Sequence, residues 1–322
     1  MSGWPGPMAD LPGLNATDVA YNISDSRREA MVEGMQILRS ILDDLMSTGL
    51  ASAAAQPISY WRDLSDRMID CKLRGVANKL DAIGLLIQSD ADWPQKVLAR
   101  IASLYLLTTS FDRVEEFPPA LRAEIYSACG INASRKALSQ LPGLKDHWLM
   151  IREFDGNNEK VNYRTTWFLG LQSGQVGYLM DYAYGFGEFE YYFQHWSVLD
   201  AEIVFYPGAH PRRILMKEGY SRIETSPPIQ APRGLLNLNA MQEFWEHALA
   251  SSPWIDSVPF IIENIRVVMH NEAYYLTDET GQIVPMHHGG YRLEDTFTKT
   301  LRSPGTMIGE LRSDGITPFA IW

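Results

Sequence analysis

Apolar side chains recur at spacings of three and four residues through the first part of the chain and at a spacing of two through the rest. That change of period predicts helices first and strands afterwards. Met31, Met35, Leu38, Ile41, Leu42 and Leu45 mark one helical face, with Ser24-Asp25-Ser26 as its capping segment and Gly49 as its stop. Ile58, Trp61, Leu64, Met68, Ile69 and Leu73 signal a second helix, and Leu80, Ile83, Leu86 and Ile87 continue its apolar face to Asp90-Ala91-Asp92. Trp93-Pro94 opens a further helix through Leu107, and Pro118-Pro119 opens a short one with Leu121, Ile125 and Tyr126 inward. From His147 the alternation turns to two, with a turn expected at Asp155-Gly156-Asn157-Asn158 and strands from Val161 to Leu169, Gly177 to Tyr182, Glu202 to Tyr206 and Arg213 to Met216. A helix carrying Met241, Phe244, Trp245 and Leu249, with Asn239 as its expected cap, precedes a last group of strands from Phe260 to Ile321. The turns Asp278-Glu279-Thr280-Gly281 and Ser313-Asp314-Gly315 lie there at hairpin spacing.

The predicted fold class is therefore α+β: an N-terminal helical array followed by a β-rich half with small barrel-like or curled-sheet modules. The expected domains are a disordered arm over residues 1–24, a helical domain over 25–145, a β-rich domain over 146–224, a linker over 225–237, and a helix plus small β-barrel-like domain over 238–322. Prolines set the linker, because Ser226-Pro227-Pro228 and Ala231-Pro232 suit neither element.

Charge narrows the choice of partner. Residues 27–145 are nearly balanced, whereas residues 146–322 hold 13 basic against 22 acidic side chains, a net of −9. Such a half would repel a phosphate backbone, which argues against nucleic acid as the main partner. No apolar run approaches the roughly 18 residues a membrane span needs, so a cytoplasmic location without membrane contact is expected. Cys71 and Cys129 are the two cysteines, too few for a disulfide framework or a cysteine-rich zinc site.

Four segments, GMQILRSILDDLMSTGLA with SYWRDLSDRMIDCKLRGVANKL, ARIASLYLLTTSF, YRTTWFLGLQSGQVGYLMDYA and DAEIVFYPGAHPRRIL, resemble the region that follows the zinc finger in bacterial SWIM zinc-finger proteins. The resemblance implies the gene company of a MoxR-type ATPase and a von Willebrand A domain protein, and supplies no reaction. The SWIM motif needs Cys-x-Cys and Cys-x-His as four zinc ligands, and this chain has neither pattern. Zinc binding is not carried over.

The least ordinary segment is the acidic aromatic run GFGEFEYYFQHW from Gly185 to Trp196. Half of its rings are expected to fill core between strands. Any left exposed among carboxylates would suit a basic protein surface, since aromatics bury large area at low entropic cost. The candidate partner-binding residues are Phe186, Glu188, Phe189, Glu190, Tyr192 and Trp196, joined by Arg212 and Arg213 in a proline-flanked turn.

Other constellations read more plainly. His287-His288 could meet one metal only from a loop, and is taken as a solvated turn. His195 and His210 suggest acid–base work, but Gly170-Leu171-Gln172-Ser173-Gly174 is not a nucleophile elbow. Gly185-Phe186-Gly187 opens no helix and carries no dinucleotide signal. No catalytic, cofactor or metal site is expected. The reading is a non-enzymatic scaffold or adaptor for a protein partner, a MoxR-type ATPase or a von Willebrand A domain protein by resemblance. Its rivals are a nucleic-acid accessory protein, with Tyr274 and Tyr275 as stacking rings, and a hydrolase using His195 or His210.

Overall fold

Two compact units make up the chain: a helical one that runs to Ser134 and takes in Pro207–Ala209, and a β-rich one that includes Arg135–Tyr206 and His210–Trp322. The computed structural model describes residues 21, 23–89, 92–158, 161–185, 187–208, 210, 212–224, 229–287 and 303–322. Among them the α+β class holds, helices first and strands after.

The helical unit contains α1 (Asp25–Thr48), α2 (Leu50–Ala54), α3 (Ile58–Asp70), α4 (Arg74–Ser89), α5 (Trp93–Phe111) and α6 (Pro119–Ala128). Ser24 accepts the Arg27 N–H at the start of α1, and Gly49 ends the helix at φ 84° with its N–H on the Leu45 carbonyl. The apolar face read as one run from Ile58 to Ile87 is two helices. The chain reverses at Lys72, φ 65°, where Leu73 N–H reaches back to the Met68 carbonyl. No glycine announces this stop. Ser65 then bonds the Ala77 carbonyl and Asp81, and Gly84 lies against the Trp61 ring, where a Cβ would come within 2.9 Å. The α3–α4 pair is thereby antiparallel. No helix among the described residues is long and apolar enough to cross a membrane.

After α7 (Arg135–Ser139) the β-rich unit begins with β1 (Leu144–Asn158), β2 (Val161–Gly170), β3 (Val176–Tyr184), β4 (Val198–Phe205), β5 (Arg213–Met216) and β6 (Ser221–Ile223). The turn expected at Asp155–Asn158 lies inside β1 instead. Gly156 pairs with Tyr163, whose ring occupies the space a Cβ would need, so glycine serves a cross-strand contact and not a reversal. The long β1 changes neighbours along its length: Leu144–Leu149 pair with β4, and Trp148–Asn158 pair with β2 across a bulge after Met150. Strand β3 meets β5 in parallel, and β4 joins β5 and β6 along its other edge. The ring β1-β2-β3-β5-β4 closes on β1. This is the strand order of an OB-type barrel.

The chain then repeats the plan. Helix α8 (Leu238–Ser251) is capped by Asn237, two residues before the expected Asn239, and leads into β7 (Ser257–His270), β8 (Ala273–Thr277), β9 (Ile283–Pro285), β10 (Gly305–Arg312) and β11 (Gly315–Ile321). Strand β7 splits like β1, pairing with β10 over Ser257–Ile265 and with β8 over Arg266–His270. A parallel bridge from Met286 to Ile316, with His287 N–H on the Ile316 carbonyl, brings the end of β9 beside β11. The second ring, β7-β8-β9-β11-β10, has the same order and the same parallel closure as the first.

Trp148, Met150, Phe168, Ile203 and Ile214 fill the first barrel. Phe260, Ile262, Val267, Leu276 and Met307 fill the second, with Leu238, Met241 and Ala248 of α8 closing it. A third cluster lies between the barrels: Leu149, Trp167 and Leu169 from the first meet Ile261, Ile308 and Phe319 from the second. Of the expected linker 225–237, Ile229 and Leu235 pack on that cluster, and Leu235 bridges Ile262.

Candidate functional site

The acidic aromatic run connects β3 to β4 and closes one end of the first barrel. Tyr191 and Phe193 stack on each other and pack on the barrel core, with Phe193 edge-on to Phe168 at 5.1 Å. Phe189 covers the guanidinium of Arg164 at 4.2 Å, and Tyr192 lies 5.5 Å from it. Arg164 points inward at this end and pairs with Asp155 at 2.8 Å and Glu153 at 3.3 Å. Burial pushes the Glu153 carboxyl above its ordinary range even so. Asp181, also inward, accepts the backbone N–H groups of Tyr182 and Tyr191, which ties the run to β3.

The partner-binding set therefore divides. Glu190 is held by Arg135 through bonds of 3.0 and 2.8 Å, which keeps its carboxyl below the usual range, and Arg135 also bonds the Tyr191 hydroxyl. Burial, with the Glu190 hydrogen bond, pushes the Tyr191 phenol up to about 12. Phe189 is half-buried on Arg164. Glu188, Tyr192 and Trp196 are exposed, Trp196 with its ring edge-on to Trp322 at 5.2 Å. Arg212 is committed within the unit, donating to the carbonyl and hydroxyl of Ser257, whose hydroxyl in turn donates to Glu310. Arg213 stacks over the Tyr206 ring at 4.5 Å. Phe186 lies outside the described residues.

Arg213 leads to a surface that the sequence reading missed. Leu179, Asp181 and Ala183 of β3 are buried, so the intervening Tyr178, Met180, Tyr182 and Tyr184 face outward. The register sets Trp167, Thr165, Tyr163 and Val161 of β2 opposite them, and Arg213 of β5 beside Tyr178. Trp167 and Tyr178 are in ring contact at 5.0 Å. Burial raises the Tyr182 phenol, with Arg213 pulling it back, and its hydroxyl bonds the Met180 sulfur at 2.6 Å. In OB-type barrels the face of the second and third strands, with the loops between the first and second and between the fourth and fifth, is where oligonucleotides and oligosaccharides bind. The signal was present as Tyr178-x-Met180-x-Tyr182-x-Tyr184, an alternation with one face entirely aromatic or thioether.

The remaining candidates have structural surroundings. Tyr274 packs on the second barrel's core, and Tyr275 is paired between Val268 and Pro285. His210 is buried, with Nε2 2.7 Å from the Ser251 hydroxyl, and burial pushes its pKa down to about 4. His195 is exposed at the barrel end, its pKa lowered by partial burial and by Arg152. His287 meets Asp314 through the carbonyl at 2.9 Å and the carboxylate at 3.4 Å, while His288 lies outside the described residues. No group of three metal-ligating side chains occurs among the described residues.

No curated protein and no solved structure gives a significant match to the chain. Residues 26–129, which span α1 to α6, match the family model of the SWIM-associated four-helix bundle domain.

Proposed function

We propose that this chain is a cytoplasmic, non-enzymatic adaptor that binds a protein partner through the first barrel. The observation that carries this reading is the outward row of Tyr178, Tyr182 and Tyr184, of which Tyr184 is 69% exposed. Large amphipathic rings on a rigid strand are the side chains that most often anchor protein interfaces. The net charge of −9 on residues 146–322 favours a protein surface over a polyanion. The SWIM-associated bundle supports a place in that family's setting, and the partner the resemblance suggests is a MoxR-type ATPase or a von Willebrand A domain protein.

The test is affinity capture from the native cells after nuclease treatment. An ATPase or von Willebrand A protein should be retained by the wild-type chain and lost with Tyr182→Ala plus Tyr184→Ala. Retention by the double variant would overturn the reading. The OB-type topology favours a second reading, single-stranded nucleic acid on the same face. Steeply salt-dependent retention of an oligonucleotide would favour it.

A further inference from the structure

The tyrosine row is the uncovered continuation of the surface on which the second barrel sits. Trp167, at the near end of this face, is 3% exposed under Phe319, whose ring lies 4.7 Å away. Farther along β3 the cover falls away, from the half-buried Tyr178 to Tyr182 at 41% and Tyr184 at 69%. Six side chains define the open part: Tyr178, Met180, Tyr182, Tyr184, Tyr206 and Arg213. Their polar groups are phenol hydroxyls and one guanidinium. No carboxylate is among them, because the acid of this strand, Asp181, is turned inward onto two backbone N–H groups.

A ligand suited to such a face offers hydrogen-bond acceptors, few donors, and apolar rings to lie against aromatic ones. A polyproline II segment meets all three conditions. Its prolines have no N–H, its carbonyls make no internal hydrogen bonds, and its rings present flat apolar surface. It is also preformed, so docking costs little ordering entropy. Single-stranded nucleic acid would also stack on these rings. Its phosphates, however, would find Arg213 as the one cation of the six, in a half of net charge −9.

We propose that the outward tyrosine face of the first barrel docks a proline-rich, polyproline II segment of the partner protein. This rests on the adaptor reading and gives it a chemistry. Tyr182, Tyr184 and Tyr206 supply ring faces, while Arg213, held against Tyr206, donates to a prolyl carbonyl at the edge of the row. The Tyr182 hydroxyl exchanges the Met180 sulfur, a weak acceptor, for another carbonyl.

The test uses the full chain and a fluorescently labelled decaproline peptide, followed by anisotropy, with a labelled 15-nucleotide oligo-dT in parallel. Saturable decaproline binding is expected, changed little between about 50 and 300 mM salt, at which polyanion contacts weaken steeply. Tyr182→Ala plus Tyr184→Ala should weaken it at least ~tenfold, and Arg213→Gln about threefold. Tyr275→Ala on the second barrel should leave it unchanged. Thermal melts establish that the variants are folded. Absence of saturable binding up to about 2 mM peptide, the weak end of specific recognition, overturns the proposal. So does binding that survives the double variant, or oligo-dT binding that the double variant abolishes. Capture of the ATPase that excess decaproline does not compete would sink this inference and leave the adaptor reading standing. Decaproline binding without any captured ATPase would do the reverse.

Discussion

The two barrels follow one path through space and present different surfaces. In each, a long first strand pairs with the fourth strand over its first part and with the second strand over its last, and the third strand meets the fifth in parallel. Their ends are closed by different means. The first uses the aromatic run around Tyr191 and Phe193, and the second uses α8. The outer faces differ as well: β3 shows Tyr178, Met180, Tyr182 and Tyr184, whereas the second and third strands of the other barrel show Tyr275, Thr277, Ile283 and Pro285 on much shorter elements. Topology supplies a platform in both cases, and the outward residues decide what it can hold.

The strongest test of this pairing is whether the barrels fold together. Phe168 and Phe260 are each fully buried, one in each barrel, and truncating either to alanine should cost about 3–5 kcal/mol. Because Trp167, Ile261, Ile308 and Phe319 share one cluster, both variants should lower the midpoint of one common urea transition of the β-rich unit. Two separately moving transitions would break the comparison into independent modules.

A smaller effect concerns His210, buried beside the Ser251 hydroxyl of α8. Its pKa falls from 6.5 to about 4 on burial, so the folded chain resists a proton that the unfolded chain accepts. Stability from this residue is present above about pH 6.5 and is lost as pH falls toward 4, by about 3 kcal/mol at most. His210→Gln should flatten that part of the stability–pH curve measured by denaturant titration. An unchanged slope would count against the buried neutral ring.

The smallest pair of effects sharpens the division among the charged side chains. Arg212→Ala leaves the carbonyl and hydroxyl of the buried Ser257 without their guanidinium donor and should cost about 1–3 kcal/mol. Arg135→Ala removes an ion pair from Glu190 that is more than half exposed and should cost under about 1 kcal/mol. Equal losses in thermal melts would contradict the difference in surroundings.

Much of this was legible in the residues. Period and capping located α1, α5, α6 and the strands, and Asp278–Gly281 and Ser313–Gly315 are hairpin turns as read. The aromatic run was visible as unusual, and two of its rings, Tyr191 and Phe193, pack partly buried against the core. Local pattern determines such features because they depend on neighbours three or four residues away, or two. It misses the stop at Lys72, where a lysine adopts the backbone angle that glycine usually signals. Ring closure, the parallel meeting of β3 with β5 and the repetition of one barrel by the other rest on partners dozens of residues apart. They leave no periodic trace. The tyrosine row shows the limit most clearly. In YLMDYAY an aspartate alternates with tyrosines, and polarity alone would turn the aspartate to solvent. Tertiary structure turned it inward, since two backbone N–H groups at the barrel end needed an acceptor, and that choice put the tyrosines outside.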